Sequence, residues 1–330
     1  MTTAHFPDLD ELRGSHPAPH DIALSPAHRD RLRSRVDDAI GRHETRRRVV
    51  RGIAAPATVL ACASAVAAVA VLALTGTSPT PAPVADRPVV ASAAAVRVLD
   101  RAADRALATA APVVREDQFV YTRSAAITNE GTFGGAVTLG DLHTREIWLG
   151  QDPGAFGWRD DVIREFGQDW PLESGSPSPA GPRRPTYAWL AALPTDPDAL
   201  LDELERVATP VDGQTKDQAV FDVIGNLISE QLLPPETAAA LYRAVTRIDG
   251  VEVDRGATDA LGRRGVGISR ADERFRTRTT WIFDAETFEL RGTRWFFTHA
   301  DGSPDTLFGA TAVLETAVVD RAGQVPGSST

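Results

Sequence analysis

The hydrophobic pattern divides the chain into stretches with different periods. From Ile53 to Leu74 no residue is charged, and ten of the 22 residues are Ala, with eight Val, Ile or Leu. Before it, "SPAHRDRLRSRVDDAIGRHETRRR" places Ala27, Leu32, Val36, Ala39 and Ile40 in one narrow stripe. This predicts a short helix, with Ser25 as N-cap and Pro26 in the first turn. After the apolar run, "TGTSPTPAPVADRP" reads as a Pro-rich spacer. From Val89 to Ala110 a helical period returns, with Val96, Leu99, Ala103, Ala106 and Ala110 on one face. Arg97, Arg101, Asp104 and Arg105 take the other face.

Strand-like runs follow: "DQFVYTRSA", "TREIWLG" and "GWRDDVIREFG". Residues 171–185, rich in Pro, Ser and Gly, read as a surface loop. A helical block comes next, from "YAWLAAL" through "PDALLDELERVA", "DQAVFDVIGNLISEQLL" and "PETAAALYRAVTRI". Asp196 is placed to cap the second of these at Pro197. Strands close the chain. "VEVDRGATDALGRRGVGISR" reads as two strands around a turn, "RFRTRTTWIFDAETFELRGTRWFF" as a hairpin turning at 284–287, and "TLFGATAVLETAVVD" as a last strand. The order helix, strands, helices, strands predicts an α+β domain with a mostly antiparallel sheet. The expected organisation is a cytoplasmic segment 1–51, a transmembrane helix 52–75, a linker 76–88, an extracytoplasmic domain 89–320 and a disordered tail 321–330.

The apolar run reads as a membrane span. As a helix, Ile53–Leu74 would be about 33 Å long, enough for a hydrocarbon core of about 30 Å. A cleaved secretion signal has a short basic lead and a shorter apolar core, whereas this lead exceeds fifty residues. A lipoprotein cut before Cys62 would leave only Ile53–Ala61, interrupted by Pro56, as its apolar core. Arg46, Arg47, Arg48 and Arg51 flank the run on its N-terminal side, and the other flank has no basic residue before Arg87. The positive-inside rule then puts the N-terminus in the cytoplasm and the large domain outside.

Charge and composition narrow the function. Residues 1–51 carry a net +2 and residues 75–330 a net −12, together the −10 of the chain. An acidic outer domain argues against nucleic-acid binding, which needs a basic face. Cys62 is the one cysteine, so the outer domain can form neither a disulfide nor a thiolate metal site. Lys216 is the one lysine and lies in no phosphate-binding loop. No Gly-x-Ser-x-Gly elbow occurs, and the outer domain has only His143 and His299. Asp160 and Asp161 are strand neighbours, which face opposite sides and make a poor carboxylate pair. "DGSPD" at 301–305 reads as a plain turn before it reads as a calcium loop. No enzyme activity, catalytic residue, metal or cofactor is expected.

Three stretches, "ALPTDPDALLDEL", "LLPPETAAALYRAVTRIDGVEV" and "DALGRRGVGISR", carry a resemblance, together with "WIFDAETFELRG" and the Arg-rich lead into the span. They resemble an uncharacterised family of actinobacterial single-pass membrane proteins, often encoded beside extracytoplasmic-function sigma factors. The outer part is similar in strand order to the lipoprotein-carrier fold of the lipoprotein chaperone and of a periplasmic sigma regulator. That resemblance implies a curved antiparallel sheet with a helical lid over its open side.

In "RFRTRTTWIF", a period of two sets Phe275, Thr277, Thr279, Trp281 and Phe283 on one face and Arg274, Arg276 and Arg278 on the other. Trp295 and Phe297 alternate with Arg294 and Phe296 on the hairpin partner. Trp281, Phe283, Trp295 and Phe297 are therefore the expected ligand-binding residues, with a lipid-like ligand between sheet and helices. The plainer reading is a filled core on that side, with Arg paired to Glu273, Glu286 and Glu289 on the other. The expected function is a membrane-anchored extracytoplasmic binding module for a lipid or an envelope protein. The alternative is an envelope signalling accessory that modulates a sigma-factor pathway.

Overall fold

The computed structural model describes residues 90–132, 135–154, 161–172 and 179–327. The expected cytoplasmic segment, transmembrane helix and linker lie outside these, as do Trp158, Arg159 and Asp160. Among the described residues, no helix is long and apolar enough to cross a membrane.

The described chain is α+β, built on one large curved antiparallel sheet. Its strands are β1 (Phe119–Ile127), β2 (His143–Gly150), β3 (Val162–Glu165), β4 (Gln168–Pro171), β5 (Glu252–Asp254), β6 (Val266–Asp272), β7 (Thr277–Phe283), β8 (Leu290–Phe297) and β9 (Thr306–Val319). They lie in the order β4-β3-β2-β1-β9-β8-β7-β6-β5. The last strand thus slots between the first and the second hairpin family, with Phe119 opposite Val319 and Ile127 opposite Ala310. The helices are α1 (Ala93–Leu107), α2 (Tyr187–Ala191), α3 (Pro197–Val207), α4 (Lys216–Glu230) and α5 (Pro235–Val245).

Local chemistry explains most boundaries. Ser92, Thr186 and Thr215 each cap a helix by accepting a backbone N–H, from Ala95, Trp189 and Gln218. Asp196 accepts from Asp198 and Ala199, with Pro197 in the first turn, as its sequence reads. Lys216 Nζ donates to the Glu205 and Ala208 carbonyls at 2.8 and 2.9 Å, so the one lysine closes the C-terminal end of α3.

One core joins the helices to the β6–β7 side of the sheet. It contains Leu99, Leu190, Leu200, Leu204, Ile224 and Leu241 together with Ile268, Trp281 and Phe283. The buried face of α1 is Ala95, Leu99, Ala102 and Ala103, a slight rotation from the expected stripe, and Ala110 lies exposed beyond its end. A smaller core lies on the opposite face of the sheet around Tyr121, Trp148 and Val319. Ala322 and Val325 pack against it, and Trp148 Nε1 donates to the Gln324 carbonyl at 2.7 Å. The expected disordered tail is therefore corrected for 321–327: an indole N–H buried in this core needs an acceptor, and the returning chain supplies it. Residues 328–330 lie outside the described residues.

Two further readings change. β4 was not expected. It pairs with β3 through a turn at Phe166 and Gly167, whose φ angles of 52° and 73° give the two left-handed positions of a tight hairpin. In the stretch read as a surface loop, Arg184 is buried and donates to the Gly150, Asp152 and Gly154 carbonyls.

Candidate functional site

The register decides which side chains share a face, since directly opposed residues of antiparallel strands point the same way. Ile268, Trp281 and Thr293 form one row, and Arg270, Thr279, Trp295 and Gly309 form the next. Asp272, Thr277, Phe297 and Thr306 form a third. By strand alternation Trp281, Phe283, Trp295 and Phe297 all lie on the helix side of the sheet.

They do not share one environment. Trp281 and Phe283 are 0% exposed. Trp281 stacks on Phe221 of α4 at 4.0 Å between ring centres and 7° between planes. A Cβ at Gly225 would stand 2.8 Å from Trp281 Nε1, so the helix already touches the indole and leaves no slot for an acyl chain. Phe283 meets Tyr242 of α5 edge-on at 5.6 Å. Trp295 and Phe297 remain half-buried. Phe297 stacks on Phe308 at 4.3 Å, and the Trp295 ring lies over Gly309, 3.2 Å from where a Cβ would be. Phe308 reaches this strip through a β-bulge between Trp295 and Phe296, which no period of two could reveal.

The end of α4 crosses the middle of the same face. Ser229 Oγ lies 3.2 Å from Thr293 Oγ1, and Thr122 Oγ1 donates to the Glu230 carbonyl at 3.5 Å. Beyond it stands a charged group that sequence reasoning missed, because its members come from β2, β3 and α4. Arg145 Nη2 is 3.5 Å from Glu230 Oε1, and Arg145 Nε and His143 Nε2 are each 3.6 Å from Glu165 Oε1. These are ion-pair separations, longer than hydrogen bonds. Phe166 stacks on the imidazole at 4.3 Å. The Glu165 carboxylate raises the His143 pKa against the opposing effect of burial, and His143 in turn lowers that of Glu165. His143 Nδ1 faces the Asp141 carbonyl at 3.0 Å, so both ring nitrogens face acceptors. The nearby Glu165 carboxylate favours the charged form of the ring.

The expected Arg face is corrected. Arg274 and Arg276 lie in the β6–β7 turn, and only Arg278 is in a strand. Its partner is Asp305 at 2.8 Å, with its guanidinium 4.3 Å from the Phe296 ring. Arg274 pairs with Asp212, and Arg294 Nη2 donates to the Asp259 carbonyl at 2.9 Å. The partners are distant in sequence, because the segments 208–215, 255–265 and 301–305 fold back toward the sheet. Asp301 holds its turn by accepting from the Ser303 N–H and hydroxyl at 3.0 and 2.7 Å. Among the described residues, no group of three or more His, Cys, Asp or Glu converges as metal ligands would.

What this face can do chemically is bind. Aromatic rings open on one side suit apolar or planar groups, and the adjoining ion pairs can orient a polar end. No family model and no curated protein matches this chain.

Proposed function

We propose that the domain is an extracytoplasmic binding module, anchored in a membrane by the apolar run 53–74. Its ligand, lipid-like or a protein segment, rests on Trp295 and Phe297, which Phe308 backs. One observation carries this reading. Of four aromatic side chains on one sheet face, the helices cover two completely and leave two half-buried. A module that used this face only as core would extend its helices over all four. The helices act as a fixed plug: moving them as a lid would break the Phe221–Trp281 stack and expose the main core. The binding surface is therefore the strip beside α4 and not a cavity beneath it.

The test uses the full chain, purified from a bacterial membrane into neutral detergent and weighed by native mass spectrometry. The expected result is a stoichiometric bound mass that Trp295→Ala removes while the melting temperature holds within a few degrees. Trp281→Ala serves as contrast and should cost about 3–5 kcal/mol of stability, as large-to-small core changes do. A wild-type chain that carries no bound mass, or a Trp295→Ala chain that keeps it, overturns the reading.

A further inference from the structure

A concavity lies between α1 and the β5–β6 end of the sheet. A groove of about 850 Å³ runs between the polar face of α1 and the segment formed by β5, the start of β6 and the β7–β8 turn. Val253, Val266 and Phe288 give it apolar lining, and Arg97, Arg101 and Arg255 bring three guanidiniums to it. We infer that this groove binds an amphiphilic anion: a carboxylate or phosphate head carried on an apolar body. The inference goes beyond the proposed function and does not involve the aromatic strip.

The first argument is charge. Several arginines of the domain are paired with carboxylates: Arg123 with Glu315, Arg164 with Asp169, Arg247 with Asp198, Arg263 with Asp259 and Arg278 with Asp305. Like Arg276 and Arg294, the residues Arg97, Arg101 and Arg255 form no ion pair among the described residues, but these three converge on one groove. Of its acids, Asp104 is neutralised by Arg243 at 3.2 Å. That leaves Asp100 and Glu286 against three guanidiniums, within a domain that is acidic as a whole. Guanidiniums with open donors grip carboxylate or phosphate oxygens in pairs.

The second argument is backbone strain. Phe288 has φ of 60°, a left-handed conformation that glycine adopts freely and a bulky residue adopts at a cost. The turn would be satisfied by Gly, since Asp284 already holds it by accepting the Glu286 and Thr287 N–H groups at 2.9 and 2.8 Å. What Phe supplies there is its ring, which packs on the main core and lies 5.7 Å from the Arg101 guanidinium. A strained aromatic next to an unpaired cation is a preformed seat for the junction between a charged head and an apolar body. A volume of about 850 Å³ is in the range of small-ligand sites.

The experiment titrates the full chain, held in dodecyl maltoside, with dodecyl phosphate, and reads binding by calorimetry. Dodecyltrimethylammonium is the comparator of opposite charge. The expected result is saturable one-to-one binding of the anion only. It should weaken about tenfold or more in Arg97→Gln/Arg101→Gln/Arg255→Gln. Arg276→Gln, an exposed arginine outside the groove, and Trp295→Ala should leave it unchanged. Absence of saturable binding, equal binding of the cation, or survival of binding in the triple variant with an unchanged melting temperature overturns the inference. A parallel measurement in nanodiscs separates the sources of the head. If α1 amides are protected from exchange only in anionic bilayers, and the triple variant loses that protection, the head belongs to a membrane lipid. If they are protected only by added dodecyl phosphate, it belongs to a free amphiphile.

Discussion

At the residue scale, two buried acid–base groups set how stability follows pH. Asp222 accepts from Gln218 Nε2 at 2.8 Å and from Gln214 Nε2 at 2.9 Å, and the same Gln214 nitrogen donates to Asp272 at 2.9 Å. Burial pushes Asp222 up to about 6; the two amides and Arg270 pull it down without offsetting that, and Asp272 pushes it further up. The folded state therefore holds this proton more tightly than the unfolded chain. Stability from this group is fully present below the usual value of 3.8 and is lost as pH rises through about 6. A shift of about two units corresponds to roughly 3 kcal/mol. His143, raised by Glu165, acts in the same direction. Its contribution is complete below 6.5 and is lost as pH rises through its higher folded value. Glu165, lowered, adds a contribution that disappears as pH falls below 4.5 toward its folded value. The melting temperature should thus be highest near pH 4.5, fall by several degrees up to about pH 6 as Asp222 loses its proton, and fall further above pH 6.5 as His143 loses its own. Asp222→Asn should remove most of that fall, and His143→Gln a smaller part, as measured by thermal melts across pH. A fall of unchanged size in Asp222→Asn would refute the assignment.

At the scale of elements, the segment between β5 and β6 shows how a sequence pattern becomes a fixed shape. Asp259, fully buried, accepts the Leu261 and Arg263 N–H groups at 2.9 and 3.0 Å and the Arg263 guanidinium at 2.5 Å. Gly265 lies so close to β7 that a Cβ would stand 2.2 Å from the Phe283 carbonyl oxygen. Gly262 is different: nothing lies within 4 Å, but its φ of 76° favours glycine. Gly265→Ala should cost about 2 kcal/mol or more, because the sheet would have to move. Gly262→Ala should cost about 1 kcal/mol through backbone strain alone. Urea unfolding of both variants tests the ranking; equal costs would contradict it. The helix start at Asp196 and Pro197 was legible at this scale, whereas α1 runs only over Ala93–Leu107 and not from Val89 to Ala110, because Ser92 caps it. The β3–β4 hairpin was not legible, because Phe occupies a left-handed turn position usually marked by Asn, Asp or Gly.

At the scale of the molecule, helices and the β6–β7 side of the sheet share one core, so they should open together. Hydrogen exchange on the full chain should give α4, α5 and β7 amides a common opening free energy, with β4 exchanging earlier. β4 is a four-residue edge strand with every residue exposed, which explains its expected early loss. Exchange of α4 and α5 well before β7 would instead restore a lid.

The period of two in "RFRTRTTWIF" and its hairpin partner was enough to place Trp281, Phe283, Trp295 and Phe297 on one face, because alternation is a local property of extended backbone. The acidic balance and the apolar run 53–74 are likewise complete in the chain itself. Which aromatics the helices cover is not. It depends on how closely α4 approaches at Gly225, on the bulge that brings in Phe308, and on β9 inserting beside β1 almost two hundred residues away. The same holds for the arginines: their charge is written in the sequence, but Asp212, Asp305 and the Asp259 carbonyl become partners of Arg274, Arg278 and Arg294 only when distant loops fold back. Alternation determines a side chain's direction, whereas burial and pairing depend on what the remainder of the chain packs against it.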